Sequence, residues 1–195
     1  KLETPRKQRV RSAYDEWCEA VEDSDPQLAE LHGEWLRLVL EDLLEYDGTV
    51  LKAKPEFPET IRYQHPQTES PVVPDMVVMA GEKPRLLITT LPPGTKLESP
   101  LTDQSWPASP LERMTLLCRA TEVGLGLVTN GEQWTLVSAP AGETSSTASW
   151  FARIWQQEPV TLQAFQSLLG VRRMCGLANE TLEALLLESL QHLDE

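Results

Sequence analysis

The sequence predicts an α/β domain, and three observations carry that reading. Residues 125–137 consist of two short apolar runs around Asn130-Gly131, the dipeptide that most readily supplies two positive φ values, so they read as a β-hairpin with a tight turn. Two further apolar runs, 76–79 behind Pro74-Asp75 and 85–90, read as strands. Residues 27–46 and 110–121 place apolar side chains at steps of three and four, the spacing of helices that bury one face. The expected order is helix, strand, strand, helix, strand, strand.

At 195 residues and 41% hydrophobic content the chain can bury one good core, with or without a helical appendage. It contains no run of about eighteen apolar residues and no charged-then-apolar export signal, so a cytoplasmic location without membrane contact is expected. Cys18, Cys118 and Cys175 are odd in number and far apart, which excludes paired zinc spacing and predicts buried free thiols. A first residue of Lys and a last helix rich in Leu and Glu are what a piece of a longer protein would show.

Charge is uneven. Residues 1–12 hold Lys1, Arg6, Lys7, Arg9 and Arg11 against Glu3, whereas residues 13–50 hold twelve acids and only Arg37, within a net charge of −13. An acidic surface repels phosphate, so the compact part is a poor candidate for gripping bare DNA along a broad face. The basic arm reads as a mobile, solvated terminus.

Taken in order, residues 13–20 read as a short helix with Tyr14, Trp17 and Cys18, broken at Asp23-Ser24-Asp25-Pro26. Asp25 and Pro26 are suited to starting the next helix. Leu28, Leu31, Trp35, Val39, Leu43 and Tyr46 form its apolar stripe, and Gly48 is expected to end it in a left-handed cap. The five prolines between 52 and 74 make a connector, with room for an edge strand at 60–63. His65 in that connector, and His32 and His192 in helices, are assigned no role. The long loop 96–110 is expected to be pinned by Trp106. Ser109, Pro110 and Glu112 spell a capped helix start. Residues 139–149 read as loop, and Trp150, Phe151, Ile154 and Trp155 as a packing cluster at helical spacing rather than a base-stacking platform. Residues 161–169 and 179–193 read as two amphipathic helices.

Gly-rich phosphate loops, nucleophile elbows and zinc-protease motifs are absent. The remaining chemistry is a carboxylate question. An acid behind proline at the start of one strand, beside a second strand, is how metal-dependent phosphodiesterases of the PD-(D/E)xK type are written: two carboxylates hold Mg²⁺ and a lysine polarises water. Asp75 fits the first position. The second strand has Ile88 at the acid position and Thr90 at the lysine position, and neither side chain can do that work. Lys96 and Glu98 lie beyond the Pro92-Pro93 turn and could substitute only if the chain folds back.

The segments PLERM and LCRAT within 110–121, LGLVTNGEQWTLV at 125–137, ASWFARIW at 148–155, EPVTLQAF at 158–165 and LLGVRR at 168–173 resemble the N-terminal region of large bacterial DNA adenine methyltransferases. The class is that of type IIG restriction–modification enzymes, with similar proteins in BREX-like and DISARM-like phage-defence systems. The resemblance spans about residues 28–193. It implies a restriction-endonuclease-like PD-(D/E)xK-type α/β core, with a mixed central sheet flanked by helices, followed by a helical connector, an S-adenosylmethionine-dependent methyltransferase domain and a target-recognition domain. No methyltransferase motif lies in these residues, so none of them would bind that cofactor. Carried over residue by residue, the nuclease motif leaves Asp75 as the one matching acid, with Glu34 or Glu41 standing for the first-helix acid. The expected organisation is a basic arm and short helix at 1–26, a nuclease-like core at 27–156 and a helical connector at 157–195. The expected role is non-catalytic: a degenerate nuclease module that holds defence-system partner proteins, or positions the methyltransferase domain of the same chain on DNA. The opposing expectations are a working Mg²⁺ nuclease completed by Glu82, Glu98 or a second chain, and a free-standing interaction protein.

Overall fold

The computed structural model describes residues 4–101 and 106–193. One six-stranded sheet runs through it in the order β1 (Leu51–Ala53), β2 (Met76–Ala80), β3 (Lys83–Thr90), β4 (Leu125–Thr129), β5 (Gln133–Ser138) and β6 (Ser146–Phe151). Every neighbouring pair is antiparallel except β3 and β4, which are parallel and joined by helix α3 (Pro110–Thr121). The fold is therefore α/β with a mixed sheet flanked by helices.

Strand alternation divides the apolar side chains between two faces. One face sends Val78, Leu86, Ile88, Leu127, Trp134 and Trp150 against α1 (Thr4–Glu22), α2 (Leu28–Arg37) and the C-terminal helices. The other sends Val77, Leu87, Val128 and Val137 against Met114, Leu117 and Cys118 of α3. Helix α3 starts as its sequence dictates, with Ser109 Oγ accepting from the Glu112 amide and the Glu112 carboxylate accepting from the Ser109 amide. It lies close on β4 because Gly126 has no Cβ, whose position would fall 2.3 Å from the Met114 sulfur.

The N-terminal arm differs from expectation. Residues 4–22 form one helix rather than a solvated arm and a short helix: Val10, Trp17 and Ala20 are buried, and on the exposed side Arg6 pairs with Glu45, Arg9 with Asp42, and Arg11 with Asp15 one turn away. The basic segment lies on the acidic one. The second helix also departs from a plain α-helix. After Arg37 it widens into a π-helical turn, Leu38–Leu43, and Glu45 rather than Gly48 takes the left-handed position at φ +62°. The Tyr46 amide then donates back to the Leu40 carbonyl, one residue further than a Schellman closure as the wider π turn requires, and the Tyr46 ring is buried in the core.

Further along, residues 60–63 form no strand; only a single bridge, Tyr63 to Val72, exists there, and the edge strand is β1 at Leu51–Ala53. Residues 146–149, expected as loop, belong to β6. The aromatic cluster behind them spans the end of β6 and a 3-10 turn, Ala152–Ile154, rather than a helix. Loop 96–110 is pinned as expected within its described part: Trp106 stacks on His65 at 4.1 Å with the Arg113 guanidinium over its ring, so His65 has a packing partner after all.

The C-terminal helices α4 (Pro159–Leu169), α5 (Val171–Cys175) and α6 (Leu182–Leu193) do not stand off the core. Leu162, Phe165, Leu169, Met174 and Leu182 are buried with Trp134 and Trp150. Gln166 Nε2 donates to the Leu43 carbonyl, the Val171 amide to the Leu44 carbonyl, and the Tyr46 hydroxyl to the Leu169 carbonyl. Carbonyls left over at the end of each helix are thus satisfied by the other. Among the described residues no helix is long and apolar enough to cross a membrane.

Phe165 touches the rings of Trp134, Trp150 and Trp155, so Phe165→Ala is expected to lower unfolding stability by about 3–5 kcal/mol. Urea titration followed by tryptophan fluorescence checks this; an unchanged midpoint would mean that the C-terminal segment is not part of the cooperative unit.

Candidate functional site

The parallel strands β3 and β4 end together at Thr90 and Thr129, and the carboxyl ends of parallel strands are where open α/β sheets hold ligands. Asp75 reaches the same end from β2, whose register sets Met76 opposite Ile88. The Asp75 amide donates to the Ile88 carbonyl at 2.9 Å. Its carboxylate Oδ2 accepts from the Thr90 amide at 2.7 Å and from the Thr90 hydroxyl at 3.2 Å. The residue at the lysine position of the nuclease pattern is therefore the hydrogen-bond donor that holds the aspartate. Ile88, at the acid position, is fully buried among the side chains under α2.

The other sequence candidates show no bond to Asp75 among the described residues. Glu98 is exposed and accepts from Gln133 Nε2, and Lys96 and Glu82 are exposed. Glu34 and Glu41 line a groove between α1 and α2 with Arg9 and Arg37. Among the described residues no group of three or more His, Cys, Asp or Glu side chains is arranged to hold a metal ion. Tested against Mg²⁺, which requires an octahedron of oxygens, this donor set does not fit: Ile88 offers none, and one oxygen of Asp75 is engaged by Thr90.

What the strand ends do carry is a dense polar hub built around the β4–β5 turn. Gly131 alone takes a positive φ, +92°; Asn130 does not, because its side chain is the turn's acceptor, receiving the amides of Glu132 and Gln133. Asn130 Nδ2 in turn donates to the Thr95 carbonyl, tying down the Pro92-Pro93 turn. The Gly131 carbonyl accepts from two indoles, Trp35 at 2.8 Å and Trp134 at 3.1 Å. A Cβ on Gly131 would come within 2.8 Å of Trp17 and 2.9 Å of His32, so glycine is required by contact as well as by backbone.

His32 closes the hub. Its Nδ1 accepts from Trp17 Nε1 at 3.1 Å and its Nε2 donates to the Leu91 carbonyl at 2.9 Å, which fixes the neutral tautomer and joins α1, α2 and the end of β3. Burial pushes its pKa down, against a smaller raising effect of the Leu91 carbonyl. Burial and the hydrogen bond to Glu132 raise the Tyr14 hydroxyl far above its ordinary value, so it is a fixed donor to that carboxylate at 2.6 Å. Burial lifts the Cys118 thiol to about 12, and all three cysteines are free, which makes Cys118 an inert packing group. His32 and Gly131 were not singled out from sequence as a pair, because nothing local links positions so far apart.

The pH dependence follows from the tautomer. With the folded pKa depressed below the unfolded value of about 6.5, the unfolded chain takes up the proton first. His32 therefore contributes fully above that pH, and its contribution is lost as pH falls from there through the folded pKa. Thermal melts between about pH 7.5 and about pH 5 are expected to show a steeper acid loss for the wild type than for His32→Gln, whose amide can still bridge Trp17 and Leu91; parallel slopes would contradict the assignment. Comparison with protein-family models, curated proteins and solved structures found no match to this chain.

Proposed function

We propose that this chain is the nuclease-like, catalytically degenerate N-terminal module of a bacterial DNA adenine methyltransferase from a restriction–modification or phage-defence system, serving as a scaffold. It holds partner proteins, or positions the methyltransferase domain on DNA. The observation that carries the reading is the engagement of Asp75 by Thr90 beside a buried Ile88. A restriction-endonuclease-like core calls for a helix, three antiparallel strands, a crossover helix and a parallel fourth strand. The element order α2, β1, β2, β3, α3, β4 supports that core.

Indirect contact with DNA is supported by charge. The chain carries −13, and Arg6, Arg9 and Arg11 face Glu45, Asp42 and Asp15 rather than standing free for phosphate. S-adenosylmethionine chemistry belongs, on this reading, to a methyltransferase domain and to none of these residues. The test is incubation of the protein with supercoiled plasmid and Mg²⁺ or Mn²⁺. The expected result is intact plasmid. Cutting that disappears in Asp75→Ala overturns the scaffold reading in favour of a working nuclease.

A further inference from the structure

The two edges of the sheet are built differently. Strand β1 is three residues long, carries Lys52 and is followed closely by Pro55, features that discourage strand addition. Strand β6 is six residues long and pairs only with β5 among the described residues. Ser146, Thr147, Ala148 and Ser149 are exposed. From Thr144 to Ala152 there is no charge and no proline, in a chain of which 24% of residues are charged. The devices that blunt a free edge are absent there.

We propose that β6 pairs antiparallel with β6 of a second copy of this chain, about a two-fold axis through Ala148, joining the two sheets into one of twelve strands. An axis perpendicular to the sheet keeps each side chain on its own face, so opposed residues must be an even number of positions apart. Centring on Ala148 sets Ser146 of one copy across from Trp150 of the other, and Thr147 across from Ser149. Small residues then meet the aromatic ring, and hydroxyls meet hydroxyls. The same register brings the end of the strand that carries Glu143 toward the end that carries Arg153 in the other copy. Arg153 is exposed while touching Glu132, so it can serve both carboxylates. The charges flanking the neutral edge are thus complementary in this orientation, although the chains as wholes repel.

Sedimentation equilibrium of the 195-residue chain tests this. The expected result is a concentration-dependent species of twice the 21.9 kDa chain mass. Ala148→Lys, which sets two like charges on the axis at an exposed position, is expected to weaken the dimer at least about tenfold with an unchanged circular dichroism spectrum. Glu143→Arg is expected to weaken it, and Glu143→Arg with Arg153→Glu to restore it. A chain that stays monomeric up to about 200 µM, beyond the range expected of even a small interface, overturns the proposal. A dimer indifferent to Ala148→Lys, or a Glu143→Arg loss that the second substitution fails to restore, overturns it as well.

Discussion

The carbonyl of Gly131 accepts two indole N–H groups inside the apolar core, and much of the molecule is arranged so that it can. A buried carbonyl left without donors would cost about 1–3 kcal/mol, and so would each unpaired indole N–H. Satisfying all three groups at one point fixes α2 through Trp35, β5 through Trp134 and the turn through the glycine itself. Trp17 and His32 close over the same spot, at distances that only a residue without a side chain tolerates. Helix α1 is held to the rest by this contact and by arginines laid on acids of the π-helical turn and its exit.

The same hub shapes the Asp75 end of the sheet. Leu91, immediately after β3, is held from one side by His32 and from the other by the Thr129 carbonyl, which accepts its amide. Thr90 is thereby positioned to give both its donors to Asp75. A catalytic carboxylate of the metal-dependent kind needs companions that present oxygen and a cation that polarises water. Here the neighbouring strand offers an aliphatic side chain directed into the core and a hydroxyl that hydrogen-bonds the acid. The aliphatic group extends the packing under α2, and the hydroxyl is a partner for the carboxylate.

Much of this was legible in the residues because the signals were local. Ser109, Pro110 and Glu112 announced α3, and short apolar runs announced β2 to β5. Asp75, Ile88 and Thr90 could be set on neighbouring strands from pattern alone, and the register agrees with that placement. What stayed hidden depended on partners distant in sequence. The arm is part of α1, and its arginines meet Asp42 and Glu45 across a helix pair. The first four residues of β6 are Ser, Thr, Ala and Ser, which read as loop until β5 supplies the ladder. Asn130-Gly131 promised two positive φ values, but the Asn side chain caps the turn itself and leaves the left-handed position to Gly131. The π-helical turn and the left-handed Glu45 coincide with the docking of Gln166 and Val171, which nothing between 27 and 46 announces.

We propose that the Asp75 end of the sheet serves as architecture rather than as a metal centre. Anomalous diffraction from crystals soaked in manganese measures this directly. No manganese peak is expected beside Asp75, with the Thr90 amide and hydroxyl remaining its partners. A peak within about 2.5 Å of an Asp75 carboxylate oxygen, with Thr90 displaced, would contradict it.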